Sequence, residues 1–320
     1  MSTETEKKAY YHVPVLLNEV LEYLNPKPGQ NYIDATLGGG GYTEAIYKRI
    51  QPKGKVLAID LDQDAIANIK LNLFAGGQNI ILHQGNFSHI NKIAEHYNFS
   101  NISGVVADLG FSSYELDQSS RGLSFQKKEL LDMRFDQRGN TVDAKFILNN
   151  YDQKRIEKIL NDYGEEKFTR QIVKKIFDYR INKNEIRYTT ELYDLIKEAL
   201  PKPVKHKTAD SARRVFQALR IEVNHELDSL QEFLPKAFEL LVPGGRLVVV
   251  SFHSLEDRIV KQYFNELSKG CVCPIDFPQC VCGKEPKGKI LTKKIVTATD
   301  KEIEINPRSK PAKLRAILKI

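Results

Sequence analysis

The sequence predicts an α/β fold, a doubly wound parallel sheet into which a helical segment is inserted. Three observations predict it. Four short apolar runs alternate with helical spacing over residues 31–113, which is the pattern of β-α units. Between residues 114 and 209 only helical spacing is found. Near residue 210 the mixed pattern resumes, and it ends in an alternating run. The expected domains are residues 1–113 as the first part of the α/β core, 114–209 as the insert, and 210–320 as the second part, with a cysteine-containing loop at 270–283.

Residues 11–24 carry apolar side chains at Val15, Leu16, Val20, Leu21 and Leu24, so a helix is expected from near Pro14. His12 before it reads as a surface or capping residue. Residues 32–42, Y-I-D-A-T-L-G-G-G-G-Y, read as a buried strand that runs into four glycines and then a helix over 41–50. Glycines at a strand end allow a tight turn and let a ligand approach the main chain. The helix start beyond them presents unpaired N–H groups. A ligand-free glycine turn has the same local sequence, so the context decides.

Lys55–Ile59 reads as a second buried strand ending in Asp60, 20 residues after Gly40. A carboxylate at that place can accept both hydroxyls of a ribose. Its alternative role is to cap a helix over 63–73, which Asp62 can fill instead. Asn79–His83 is a third strand with Gly85-Asn86-Phe87 at its tip; Phe87 either packs on an adenine ring or lies in the core. Gly104–Ala107 is a fourth strand, followed by Asp108-Leu109-Gly110-Phe111-Ser112-Ser113. Ligands of doubly wound sheets sit at the carboxyl ends of the strands. The glycines, Asp60, Phe87 and Asp108 all fall there.

In the insert, helical spacing covers residues 142–163, 167–181 and 189–200, and a linker P-K-P-V-K-H-K follows. Residues 212–242 read as one or two helices, with Pro235 as a kink or a new start. Pro243-Gly244-Gly245 is a turn and Arg246–Phe252 a strand. Ser254 is expected to cap a helix running to about Leu267. Lys313–Ile320 alternates like an edge strand.

No run of about 18 apolar residues occurs, so no membrane span is expected. Met1–Lys8 is polar and lacks the apolar stretch of a signal peptide. Four cysteines confined to one segment are not a secreted disulfide framework, so a cytoplasmic protein is expected. The formal net charge is +7, from 48 Lys/Arg against 41 Asp/Glu. Residues 283–320 hold 11 against 4 and residues 114–213 hold 21 against 17, which leaves 16 against 20 for the remainder. The basic excess therefore lies outside the glycine-rich core. That suits a polyanion partner such as RNA, and it serves solubility equally well.

Two cofactor classes fit a strand, glycine turn and acid. A nicotinamide dehydrogenase wants G-x-G-x-x-G, but Gly41 is followed by Tyr42 and Thr43, and the third glycine is missing. S-adenosyl-L-methionine has no pyrophosphate to cradle. It needs a glycine bend, an acid on the ribose and a polar group near the reacting centre, which this sequence provides.

Ten segments then carry a resemblance: H-V-P-V-L-L-N-E, Y-I-D-A-T-L-G-G-G-G, A-I-D-L-D, D-L-G-F-S-S, R-G-L-S-F, L-D-M-R-F-D, Y-G-E-E, F-Q-A-L-R-I-E-V-N-H-E-L, P-G-G-R-L and S-F-H-S-L-E-D-R-I-V-K. Together they span nearly the whole chain in order. The chain resembles the bacterial 16S rRNA (cytosine-N(4)) methyltransferases of the H type. The resemblance implies a Rossmann-like methyltransferase core with an inserted all-helical domain, S-adenosyl-L-methionine as cofactor, and 16S rRNA or the small ribosomal subunit as partner. It places cofactor contacts on Gly40, Gly41, Tyr42, Asp60, Phe87 and Asp108. Tyr42 stands where the family usually has His, and Glu115 where it often has Gln or His; contacts through the backbone are indifferent to both changes.

The cytosine amino group is a poor nucleophile because its lone pair is delocalised into the ring. Asp108 at a strand tip is the candidate catalytic residue, accepting an amino hydrogen. Asp108-Leu109-Gly110-Phe111 shares the acid and the aromatic of the D-P-P-Y loop of amino-group methyltransferases; Phe111 either stacks on the base or belongs to the core. The base must leave its stack to reach such a pocket. His253 at another strand end is a candidate base contact or a structural cap. Asn306 and Arg308, in the basic turn N-P-R-S-K, are candidate phosphate contacts or a solvated loop. Cys271, Cys273, Cys280 and Cys282 form two C-x-C pairs, either a tetrahedral zinc site or four reduced thiols, and no metal is assigned from sequence. A non-catalytic RNA- or ribosome-binding factor on a methyltransferase fold is the alternative from another class.

Overall fold

The computed structural model describes residues 14–72, 79–110, 120–182, 185–271, 273 and 282–320, with the side chains of 70–72 left aside. The chain forms two compact units. One comprises residues 1–60, 64–110 and 234–320, and the other residues 61–63 and 111–233.

The first unit is organised by a seven-stranded sheet. Its strands are β1 (Asn31–Asp34), β2 (Val56–Asp60), β3 (Ile80–Gln84), β4 (Ile102–Asp108), β5 (Leu241–Ser251), β6 (Gly288–Ile290) and β7 (Lys313–Lys319), in the order 3-2-1-4-5-7-6. The strands β1 to β5 pair in parallel, whereas β7 runs antiparallel to β5 and β6 antiparallel to β7. Strands covered on both faces read as continuous apolar runs. β2 obeys this, burying Val56, Leu57, Ala58 and Ile59 before the half-exposed Asp60. Helices α1 (Leu17–Leu24) and α2 (Gly41–Ile50) contribute Val20, Leu24, Ile46 and Ile50 to one core with Tyr32, Val106, Val248 and Leu314. Each such aliphatic side chain contributes about 1.5–3 kcal/mol on burial. The crossover helices α3 (Gln63–Asn72) and α4 (Ile90–His96) complete the β-α succession.

The second unit is helical: α5 (Ala144–Asn150), α6 (Gln153–Asp162), α7 (Thr169–Ile181), α8 (Thr189–Ala199) and α9 (Thr208–Asn224). Asp143 and Asp152 cap α5 and α6, accepting from the N–H groups of Phe146 and Arg155. Two polar clasps lie inside it. Glu166 accepts from Arg214 (2.7 Å) and from the Phe168 N–H (2.9 Å), and Ser211 Oγ lies 3.3 Å from it. Arg220 meets Glu226 in a two-bond pairing of 2.7 and 2.9 Å. Glu166 of the Y-G-E-E segment and Arg220 and Glu226 of the R-I-E-V-N-H-E segment thus hold the helical unit together.

Several sequence expectations differ from the structure. Residues 210–233, joined above to the second part of the core, lie in the helical unit because Ala212, Val215, Phe216, Leu219 and Val223 pack in the cluster of Ile147, Ile172 and Leu192. The break between helices falls at His225 (φ 51°), not Pro235, which sits within α10 (Glu226–Leu240). A left-handed residue ends a helix more decisively than a proline, which removes one hydrogen bond. The Pro243-Gly244-Gly245 turn is an irregularity within β5, whose pairing with β4 jumps from Ile102↔Leu241 to Gly104↔Arg246. The alternating run 313–320 is not at the edge, because β6, only three residues long, covers it. The linker 202–207 is a short 3-10 helix, and the first helix begins at Leu17 rather than near Pro14, after the left-handed Leu16 (φ 53°).

Candidate active site

The site is built at the carboxyl ends of the parallel strands, where the order reverses between β1 and β4. Beyond β1 the backbone ties alternately to its two neighbours. The Ala35 N–H donates to Val106 (2.8 Å) and the Leu37 N–H to Ile59 (2.8 Å). Gly38 (φ +48°) and Gly40 (φ +77°) then adopt left-handed backbone, which a side chain would strain. Gly41 answers a different demand: a Cβ there would stand 2.1 Å from Cγ of Pro14. Gly40 caps the ten-residue helix α2 without a side-chain bond, so the first-turn N–H groups have no cap side chain to satisfy them.

Asp60 ends β2 and its Oδ2 accepts from the Gly38 N–H at 2.7 Å. The bond fixes the carboxylate against the glycine turn, and a carboxylate has further acceptor capacity. Asp62, not Asp60, stands directly before α3. Phe87 is half-buried and opens a short 3-10 turn beyond β3, held by Asn86, whose Oδ1 accepts from the Ser88 N–H (2.9 Å). Asp108 ends β4, and its N–H donates to Thr36 Oγ1 (2.7 Å) across the reversal point. The residue is partly exposed as a whole, yet its Oδ1 is buried and, among the described residues, meets no hydrogen-bond partner of good geometry.

Sequence reading missed a buried acid, Asp34. It is fully buried, with Oδ2 accepting from Thr43 Oγ1 (2.6 Å) and Oδ1 from the Thr36 N–H (3.2 Å). Burial pushes its carboxyl up to about 7 despite those bonds, with nearby Asp60 adding to the shift. Burial likewise raises Asp108 well above the usual carboxylate range, reinforced by Asp34 and Glu256. The Tyr42 hydroxyl beside Asp108 is raised too, first by burial and then by Asp108 and Asp34. Tyr42 has one hydroxyl proton, and it donates to the Val15 carbonyl. The only sequence signal for Asp34 was a charged residue ending an apolar strand.

The other expected residues fall at the same end of the sheet. His253 follows β5, and Asn306 and Arg308 precede β7, whose start pairs with the end of β5 as Ser251↔Lys313. His253, rather than Ser254, caps α11 (Ser254–Ser268), its Nδ1 accepting from the Glu256 N–H at 3.5 Å. Glu256 Oε2 returns bonds to the N–H groups of Phe252 (2.8 Å) and His253 (3.2 Å). His253 Nε2 lies 3.0 Å from Glu256 Oε1 but out of line for a hydrogen bond, and is buried. Asn306 caps a turn over Pro307–Ser309, its Oδ1 accepting from the Arg308 N–H (3.3 Å). Phe111, Ser112, Ser113 and Glu115, like His12, lie outside the described residues.

A model of the MraW methylase family matches residues 9–320. The chain belongs to this family. A protein named Ribosomal RNA small subunit methyltransferase H from Heliobacterium modesticaldum is 43% identical over 312 residues, covering 97% of this chain and 99% of its own. One of the same name from Clostridium botulinum (strain 657 / Type Ba4) is 45% identical over 311 residues, covering 97% of this chain and 99% of its own. Among solved structures, an rRNA methylase from Streptococcus thermophilus is 12% identical with a TM-score of 0.43, covering 97% of this chain and 99% of that one. So loose a likeness adds nothing to the family assignment.

A family methylase requires S-adenosyl-L-methionine, and the residues at the strand ends fit it. The main chain bends at two left-handed glycines, Asp60 stands beside the bend, and Asp108 ends β4 at the reversal point with a buried oxygen that has no partner among the described residues.

Proposed function

We propose that the protein transfers a methyl group from S-adenosyl-L-methionine to the exocyclic N(4) amino group of a cytidine in 16S rRNA, acting on the small ribosomal subunit in the cytoplasm. The observation that carries this reading is the buried Oδ1 of Asp108 at the strand-order reversal, without a partner among the described residues, in a chain whose residues 9–320 match a methylase family.

Bound S-adenosyl-L-methionine supplies a methyl group already activated on a sulfonium. The protein's residues have three tasks. Gly40, Gly41 and the Tyr42 backbone leave room for the cofactor against the start of α2, Asp60 takes its ribose hydroxyls, and Phe87 packs on its adenine. Asp108 holds the cytosine amino group in line and accepts one of its hydrogens, which favours attack by the nitrogen lone pair. It does so as the carboxylate. Burial raises its carboxyl above the usual carboxylate range, which makes the ionised form a stronger base than an exposed aspartate. On the substrate side, Asn306 and Arg308 take RNA phosphate, and His253, besides capping α11, borders the base.

The test uses purified protein, labelled S-adenosyl-L-methionine and small subunits lacking the modification, followed by digestion of the RNA to nucleosides. Label in N(4)-methylcytidine is the expected result. Label in another nucleoside overturns the cytosine assignment. Cofactor binding without transfer overturns the substrate, and the absence of both favours the non-catalytic RNA-binding alternative.

A further inference from the structure

The cysteine segment belongs to neither the cofactor nor the base chemistry. It lies between α11 and β6, in an excursion whose base is closed by the Lys287 N–H donating to the Leu267 carbonyl (2.8 Å). Its described residues from Lys269 to Lys287 are exposed or half-exposed. None of them is buried, so none of them supplies a core to this excursion.

The described thiols are nonetheless gathered. One sulfur from each of Cys271, Cys273 and Cys282 lies within 4.8 Å of the others. The Sγ atoms of Cys271 and Cys282 are 3.8 Å apart. That is far beyond the roughly 2.05 Å of a disulfide. It equals the separation of two ligands placed about 2.3 Å from a central zinc at the tetrahedral angle, which is about 3.8 Å. The Cys273 N–H points at Cys271 Sγ (3.4 Å), a contact that steadies a thiolate.

We propose that Cys271, Cys273 and Cys282 bind a structural zinc ion that pins this excursion between α11 and β6. Sulfur-rich tetrahedral sets select zinc over harder cations. A fourth sulfur is at hand in the sequence: Cys280, two positions before Cys282 and outside the described residues.

The full-length protein, purified without chelator and passed over a desalting column after incubation with zinc, is assayed for metal by mass spectrometry. About one zinc per chain is expected. Cobalt replacing it gives a thiolate-to-metal band in the near ultraviolet. Cys271→Ser and Cys282→Ser each lose at least the roughly 10- to 100-fold in zinc affinity that loss of a supporting hydrogen bond costs, with a weakened cobalt band. Circular dichroism and S-adenosyl-L-methionine binding verify that the variants are folded. Zinc below a tenth of an equivalent in the wild type, iron in its place, or full zinc retained by folded Cys271→Ser would overturn the proposal.

Discussion

Replacing Asp34 with Asn changes how stability depends on pH. Asp34 carries a folded-state pKa of about 7 against an ordinary value of 3.8, because burial penalises its charge. An acid raised on folding binds more protons in the native state than in the unfolded one. Its contribution is therefore fully present below about pH 4 and is lost as pH rises through about 7. The shift of about three units corresponds to about 4 kcal/mol, of which about 2 kcal/mol disappears between pH 5 and pH 7. Asn reproduces the neutral acid. Its oxygen accepts from the Thr36 N–H and its amide donates to Thr43 Oγ1, whose hydroxyl turns away. The assay is urea unfolding of both proteins from pH 5 to pH 7.5, read on the transition that the substitution moves. The wild type should lose about 2 kcal/mol relative to Asp34→Asn over that range. Parallel profiles, within about 0.5 kcal/mol at every pH, would refute the reasoning, because Asp34 would then titrate like an exposed carboxylate.

Asp60→Ala should weaken S-adenosyl-L-methionine binding by roughly ten- to a hundred-fold, the worth of one or two bonds to a charged acceptor, and calorimetry reads it directly. Gly41→Ala forces a Cβ into Pro14 and should destabilise the protein by about 1–3 kcal/mol in urea unfolding. Glu166→Ala strands Arg214 and the Phe168 N–H in the helical unit and should cost roughly 2–4 kcal/mol, with the variant Glu166→Gln recovering part of it.

The β1–β4 half of the sheet was legible because each strand there is a short apolar run ending in an acid or a turn, and the glycines marked the tightest bend. β6 left no signal, since Gly288-Lys289-Ile290 has neither length nor alternation, and its partner β7 consequently read as an edge. His225 was equally silent: a left-handed helix end at a histidine has no composition cue, whereas Pro235 offers one that the helix overrides. In the site, Asp60 and Asp108 were visible by strand-end position. Asp34 was not, because its importance lies in Thr36 and Thr43 converging on it and in the electrostatic company of Asp108, which are tertiary facts. His253 shows the reverse case, a residue singled out for chemistry whose visible bonds cap a helix.

The proposed chemistry turns on Asp108, so the decisive measurement is Asp108→Asn, assayed for single-turnover methyl transfer and for S-adenosyl-L-methionine affinity on the same preparation. Asn keeps the shape and loses the basic oxygen. Transfer to small subunits should fall by about 10²–10⁴-fold, while the dissociation constant changes less than about tenfold. Transfer at the wild-type rate would contradict the role given to Asp108.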